Sequence, residues 1–271
     1  MMGVNGSGRQ ARPRLEGKTV PRRFRLADKI GPRAARLVRA LLVVVAILLV
    51  LPYLLAPLYR VVNPVSTLMA WRWATGARVE RVWTPIERMA PALPLAVIVS
   101  EDARFCAHHG VDFAQLREVM EGVEDVDDLA DVRGGSTITQ QIAKNLFLWQ
   151  GRSFVRKALE LPLALWLDLV LPKRRLMEIY LNIAEWGPNG EFGAQAAARR
   201  AFNKPARDVS LREAALLAAM LPNPARRDAR APGPALRRLA AIHEARAIAS
   251  RALDACVRSA APPSAPRRLP L

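Results

Sequence analysis

Val97, Ile98 and Val99 lead straight into Glu101 and Asp102. A carboxylate at the edge of an apolar core is partly desolvated, and desolvation raises its pKa. A glutamate poised toward neutrality can take a proton from a hydroxyl. Composition alone favours a solvated acid pair at a helix start over that role. Phe105, His108 and Gly110 follow at close range, but adjacent His108 and His109 lack the i, i+4 spacing of a helical metal pair.

Two further groups carry chemistry. Gly134-Gly135-Ser136-Thr137 precede Ile138-Thr139-Gln140-Gln141. Glycines before hydroxyls at a helix start either leave backbone N–H groups free for an anion or form an ordinary N-cap. Gln140 and Gln141 offer the neutral hydrogen bonds that sugar hydroxyls use. Beyond them lie Lys144, Arg152, Arg156, Lys157 and Glu160. Arg152, Arg156 and Glu160 share a helix face if the helix has begun by Arg152. Such a face is either a solvated ion-paired surface or a cradle for a diphosphate, whose negative charge grows as it departs.

The elements that must position these groups are mostly helical. Ile138, Ile142 and Leu146 recur at a helical period, while alternating apolar runs are few. Ser210 and Glu213 have the spacing of a capping box. The segment 153–171 reads as helical but interrupted at Pro162, and that ending at Trp186 is stopped by Gly187-Pro188. An acidic patch from Glu118 through Asp131 reads as a solvated face or loop.

Ahead of these elements, Ala40 to Tyr59 carries no charge and is bounded by Arg39 and Arg60. A helix of that length spans about 30 Å, the thickness of a hydrocarbon core. Residues 1–39 hold 11 Lys/Arg and 2 Asp/Glu, residues 226–271 hold 10 and 3, and residues 40–225 hold 20 and 19. The net charge of +17 therefore sits at the two ends. A nearly neutral body argues against nucleic acid, and basic ends suit an anionic membrane surface. The basic segment before the span is expected to stay in the cytoplasm, with the remainder outside. The organisation read is a basic tail (1–39), a transmembrane helix (40–60), a connecting segment (61–90), a catalytic domain (91–225) and a basic C-terminal segment (226–271) that is partly helical around residues 243–257. Cys106 and Cys256 are far apart and read as two unpaired thiols.

The segments EDARFCAHHGVDF, GGSTITQQIAKNLFL, RKALE, LMEIYLNIAEWG and REAALLAAMLPNP occur in this order. They closely resemble the five motifs of the peptidoglycan glycosyltransferase family (glycosyltransferase family 51), and the stretch TITQQIAKNLFLWQGRSFVRK is most similar to its monofunctional members. The resemblance covers about residues 92–225. It implies a mainly α, lysozyme-like domain with a membrane-associated jaw, acting in the cell inner membrane on lipid II and the growing glycan chain. By the same resemblance Glu101 is the catalytic glutamate that deprotonates the acceptor 4-hydroxyl, and Glu160 is the second catalytic glutamate, near the donor diphosphate. Lys144, Arg152 and Arg156 match the cations that hold that diphosphate. Ser136, Gln140 and Gln141 match substrate-contacting positions, Asp102, Phe105 and His108 match positions shaping the first site, and Asn182 matches a more structural asparagine. Cys106 departs from many relatives. No cofactor is required by the resemblance; a divalent cation, Mg or Mn, where one takes part, is expected to bridge the diphosphate. Membrane lipid and cell-wall synthesis complexes are the expected partners. No Ser-x-x-Lys or Lys-Thr-Gly occurs, so transpeptidase activity is not expected. The rival readings are a lytic enzyme with a single acid glutamate, which has no need of the cationic cluster, and a non-catalytic scaffold, which has no need of Glu101.

Overall fold

The computed structural model describes residues 32–121, 135–151, 153–250 and 252–258. Arg152, Gly134 and the acidic residues Glu124, Asp125, Asp127, Asp128 and Asp131 lie outside the described residues, as do residues 1–31 and 259–271. The chain divides into two units, residues 1–48 and 49–271. The described part of the first unit is helical. It belongs to α1 (Pro32–Leu55), which begins eight residues ahead of the apolar run and continues through a 3-10 turn to Arg60. The whole stretch of 29 residues is long and apolar enough to cross a membrane.

The second unit is built almost wholly of helices: α2 (Thr67–Ala74), α3 (Ala92–Glu101), α4 (Phe113–Glu121), α5 (Ile138–Phe147), α6 (Phe154–Val170), α7 (Lys173–Ile183), α8 (Ala194–Phe202), α9 (Leu211–Met220) and α10 (Pro234–Ala249). Side chains start several of them. Ser66 accepts from the Met69 N–H, Thr137 and Gln140 form a capping box, and Ser210 and Glu213 form the second box expected from their spacing. The mainly helical class expected from the periodicity is observed. A two-residue parallel pair joins β1 (Glu80–Arg81) to β2 (Glu191–Phe192), with Glu80 opposite Glu191.

Helix α3 is apolar nearly all round and is enclosed by α9 and α10, while α5 packs on α6 and α7. Ile138 and Ile142 are fully buried and contribute about 2 kcal/mol each. Trp186, Tyr180, Phe105 and Phe192 are the bulkiest enclosed side chains.

Several expectations change. Helix α6 runs through Pro162 without ending, because packing against α5 compensates for one lost backbone hydrogen bond. Helix α7 stops at Ile183, ahead of Gly187-Pro188, where the chain turns extended and Trp186 N–H donates to Glu191 O at 2.8 Å. The C-terminal helix α10 begins nine residues before His243. It buries Leu236, Ala240, His243 and Ala247, so the packed body extends beyond residue 225. Glu118 and Glu121 of the acidic patch are exposed on α4.

The reading of two unpaired thiols is corrected. Cys106 and Cys256 form a disulfide across 150 residues of sequence, with Cα atoms 5.6 Å apart. The packing of α10 on α3 and α9 returns the chain to the loop that follows α3, and nothing in the spacing of two lone cysteines encodes that return.

Gly110, in the same loop, has φ +78°, and a Cβ there would lie 2.4 Å from the carbonyl oxygen of Ala164 in α6. Its own carbonyl accepts from Thr137 Oγ1 at 2.6 Å, so the loop is held on both sides. Gly110→Ala is expected to lower unfolding free energy by about 2 kcal/mol or more, read as a fall in the denaturant midpoint at an unchanged m-value.

Candidate active site

Glu101 is the last residue of α3, so the buried helix delivers its carboxylate to the edge of the core. Burial is the dominant influence on it and pushes its pKa up; the Gln141 hydrogen bond and the charges of Lys144 and Arg227 pull the other way. Gln141 Nε2 donates to Glu101 Oε2 at 2.9 Å, and Tyr180 Oη donates to Gln141 Oε1 at 3.0 Å.

The next residue fixes where that carboxylate sits. Asp102 leaves the helical conformation and turns its side chain inward. One oxygen accepts from the Ile138 N–H at 2.9 Å, at the positive end of α5, and both lie 3.0 Å from His108 Nε2. Lys173 Nζ donates to His108 O at 2.7 Å, pairs with Asp168 at 2.7 Å and lies 4.6 Å from the centre of the Phe105 ring. The end of α3, the following loop and the start of α5 are thus one hydrogen-bonded unit.

Lys144, one turn along α5 from Gln140 and Gln141, is the link to the cationic group. Burial and Arg156 lower its pKa, and Glu101 raises it. Arg156 is paired with Glu160, and Lys157 Nζ lies 3.2 Å from Glu160 Oε2 and donates to Ser136 Oγ at 2.6 Å. Lys157 keeps about a third of its side chain exposed, whereas Arg156 is largely covered. Burial, Arg156 and Lys144 lower the Lys157 pKa to about 8. A cavity of about 240 Å³ is lined by Gln141, Lys144, Tyr180 and Glu185, among others. Glu185 is in turn paired with Arg72.

The structure therefore brings Glu101, Gln141, Lys144, Arg156, Glu160 and Ser136 into one connected set. Arg152 lies outside the described residues. Five of the motif residues make their observed contacts within the fold. Phe105 is fully enclosed. Asp102 and His108 spend their facing polar atoms on each other and on α5. Gln140 accepts from the Thr137 N–H at 2.9 Å to complete the capping box. Asn182 donates to Thr84 O and Glu178 O and accepts from the Thr84 N–H, pinning the segment before α3 onto α7.

Two site residues escaped the sequence reading, and Lys157, named there in the cationic group, was given no part in holding the diphosphate although i, i+3 also shares a face with Glu160. Tyr180 carries no spacing or charge signal that marks its hydroxyl. Arg227 lay in a segment read as a basic tail, and only the chain's return past α9 brings its charge to bear on Glu101.

The family model described as Transglycosylase matches residues 68–247. A biosynthetic peptidoglycan transglycosylase of Rhodopseudomonas palustris (strain TIE-1) is 60% identical over 220 residues, covering 81% of this chain and 92% of the relative. The protein of that name in Nitrobacter hamburgensis is 59% identical, covering 78% of this chain and 92% of the relative. The one in Agrobacterium fabrum is 50% identical, covering 82% and 97%. With its helical body, its partly buried glutamate and this breadth of similarity, the chain belongs to the transglycosylase family of glycosyltransferase enzymes.

Proposed function

We propose that the protein polymerises lipid II into β-1,4-linked glycan strands by inverting transfer. Glu101 takes the proton from the acceptor 4-hydroxyl. The freed oxygen attacks the anomeric carbon of the donor from the face opposite the diphosphate. The bond to the diphosphate breaks with its electron pair, and polyprenyl diphosphate leaves. The α-linked donor becomes β-linked, and no covalent enzyme intermediate is needed. The observation that carries this reading is that Lys144 lines one cavity with Gln141, which donates to Glu101 at 2.9 Å, while Arg156 and Lys157 are gathered on Glu160.

In that scheme base and leaving-group site share one groove. Glu160 is enclosed and ion-paired, so it acts by holding Arg156 and Lys157 toward the diphosphate rather than by moving a proton. Among the described residues no cluster of three His, Cys, Asp or Glu side chains forms a metal site. A divalent cation, where one takes part, would be carried by the substrate's own diphosphate.

Three further observations support an enzyme anchored in the inner membrane with its catalytic unit on the outer face. The apolar helix is preceded by the basic segment. Trp71, Trp73 and Trp149 are about half exposed or more, as suits side chains that reach a lipid headgroup layer. The disulfide is the form expected of cysteines matured outside a reducing cytosol.

Glu101→Gln is expected to cut polymerisation of purified lipid II by a factor of about a hundred or more. A raised carboxyl pKa favours the fold in acid, and that advantage is lost as pH rises through it, so the ionised group is a cost at neutral pH. The variant should therefore melt no lower than the parent, and retained polymerisation would exclude Glu101 as the base. Lys157 is charged below its lowered pKa of about 8 and neutral above it. Affinity for inorganic pyrophosphate should therefore weaken as pH climbs through that value, and Lys157→Arg should remove that loss, as read by calorimetry. Protein exported to its native compartment should shift in gel mobility on reduction, whereas protein retained in the cytoplasm should not.

A further inference from the structure

The hydrogen bonds around Glu101 form a directional chain, from Tyr180 Oη to Gln141 Oε1 and from Gln141 Nε2 to Glu101 Oε2, at 3.0 and 2.9 Å. A glutamine amide can turn over and exchange its oxygen and nitrogen, and the two orientations have opposite effects on a neighbouring carboxyl group. With the nitrogen inward, the amide donates and favours the carboxylate. With the oxygen inward, it accepts and favours the protonated acid.

We propose that Tyr180 is a positioning residue for the catalytic base: its hydroxyl locks the Gln141 amide in the orientation that donates to Glu101. The inference rests on the reading of Glu101 as the base. Tyr180 is 1% exposed, and its hydroxyl proton is given to Gln141 Oε1. Turning the amide over would take away that acceptor and leave a buried donor unsatisfied, which costs more than the net worth of one hydrogen bond. The phenol itself stays protonated over any working pH. Burial, reinforced by the nearby charges of Glu101 and Asp102, holds its pKa well above the ordinary tyrosine value. It is therefore a permanent donor, unlike a histidine placed there.

The other groups facing Glu101 do not do this work. Lys144 from α5 and Arg227 from the segment after α9 act on it through charge, and Asp102 at its own helix end opposes ionisation. None of them contacts the Gln141 amide in the hydrogen bonds observed. Tyr180 also sits in α7, whereas Gln141 is in α5 and Glu101 in α3. The chain therefore ties the protonation state of the base to the packing of three helices.

The test is the pH profile of kcat/KM for lipid II polymerisation in detergent, with Tyr180→Phe, Gln141→Leu, the double variant and Glu101→Gln. Removing the hydroxyl frees the amide to accept from Glu101, so more of the base is protonated. Tyr180→Phe should move the acid limb upward by about one pH unit, the scale of one hydrogen bond to a charged group. Gln141→Leu should move the limb likewise, and adding Tyr180→Phe to it should move the limb no further. A uniform loss of rate with an unmoved limb would reduce Tyr180 to a packing residue and overturn the proposal, as would additive shifts in the double variant. Activity surviving in Glu101→Gln would instead sink the assignment of the base. An inactive Glu101→Gln beside an unmoved Tyr180→Phe limb would sink only the relay. Melting curves on each variant restrict the comparison to folded protein.

Discussion

The partial desolvation of one carboxylate at the end of α3 is the constraint to which the rest of this structure responds. An ionised group held among Val97, Ile98 and the side chains of α5 and α7 is unfavourable by itself, and that cost gives the group its basicity. Gln141, Lys144 and Arg227 return part of the lost solvation, enough to let the charge form but not enough to make it indifferent to a proton. Too much compensation would leave an inert anion and too little a permanently protonated acid.

Holding that balance demands rigidity at short range, which explains why so many polar residues beside the site face inward. Asp102 turns away from Glu101 to join α5 and His108, so the carboxylate next door neither drifts into the groove nor takes up the donors meant for Glu101. Lys173 braces the same loop by three contacts, with His108, Asp168 and Phe105. The Arg156–Glu160 pair follows a similar logic on the other side. A single enclosed anion keeps two neighbouring cations from repelling one another out of place.

Much of this was legible in the residues. The membrane-length helix, the helical body and the capping box at Ser210 follow from spacing and charge, whereas the grouping of Glu101, Lys144 and Arg156 came from the order of the motifs and the family they resemble. What was not legible depends on distant returns of the chain. One local signal was read past: Thr137 and Gln140 have the capping-box spacing, so the amide read as sugar-binding is already used in the cap. The start of α10 at Pro234 was hidden by an Arg- and Ala-rich composition that weakly distinguishes a buried face from an exposed one. Arg227 and the cysteine pair belong to the same class: both act on the first motif from more than a hundred residues away.

The bond between Cys106 and Cys256 also makes most of the enzyme a covalent ring. Gln141, Lys144, Arg156, Glu160 and Tyr180 all lie inside that ring, and Glu101 precedes it by five residues. A single proteolytic nick anywhere between the two cysteines opens the ring without parting its ends. The fragment carrying the base would remain attached to the fragment carrying the cations until the sulfurs themselves were separated.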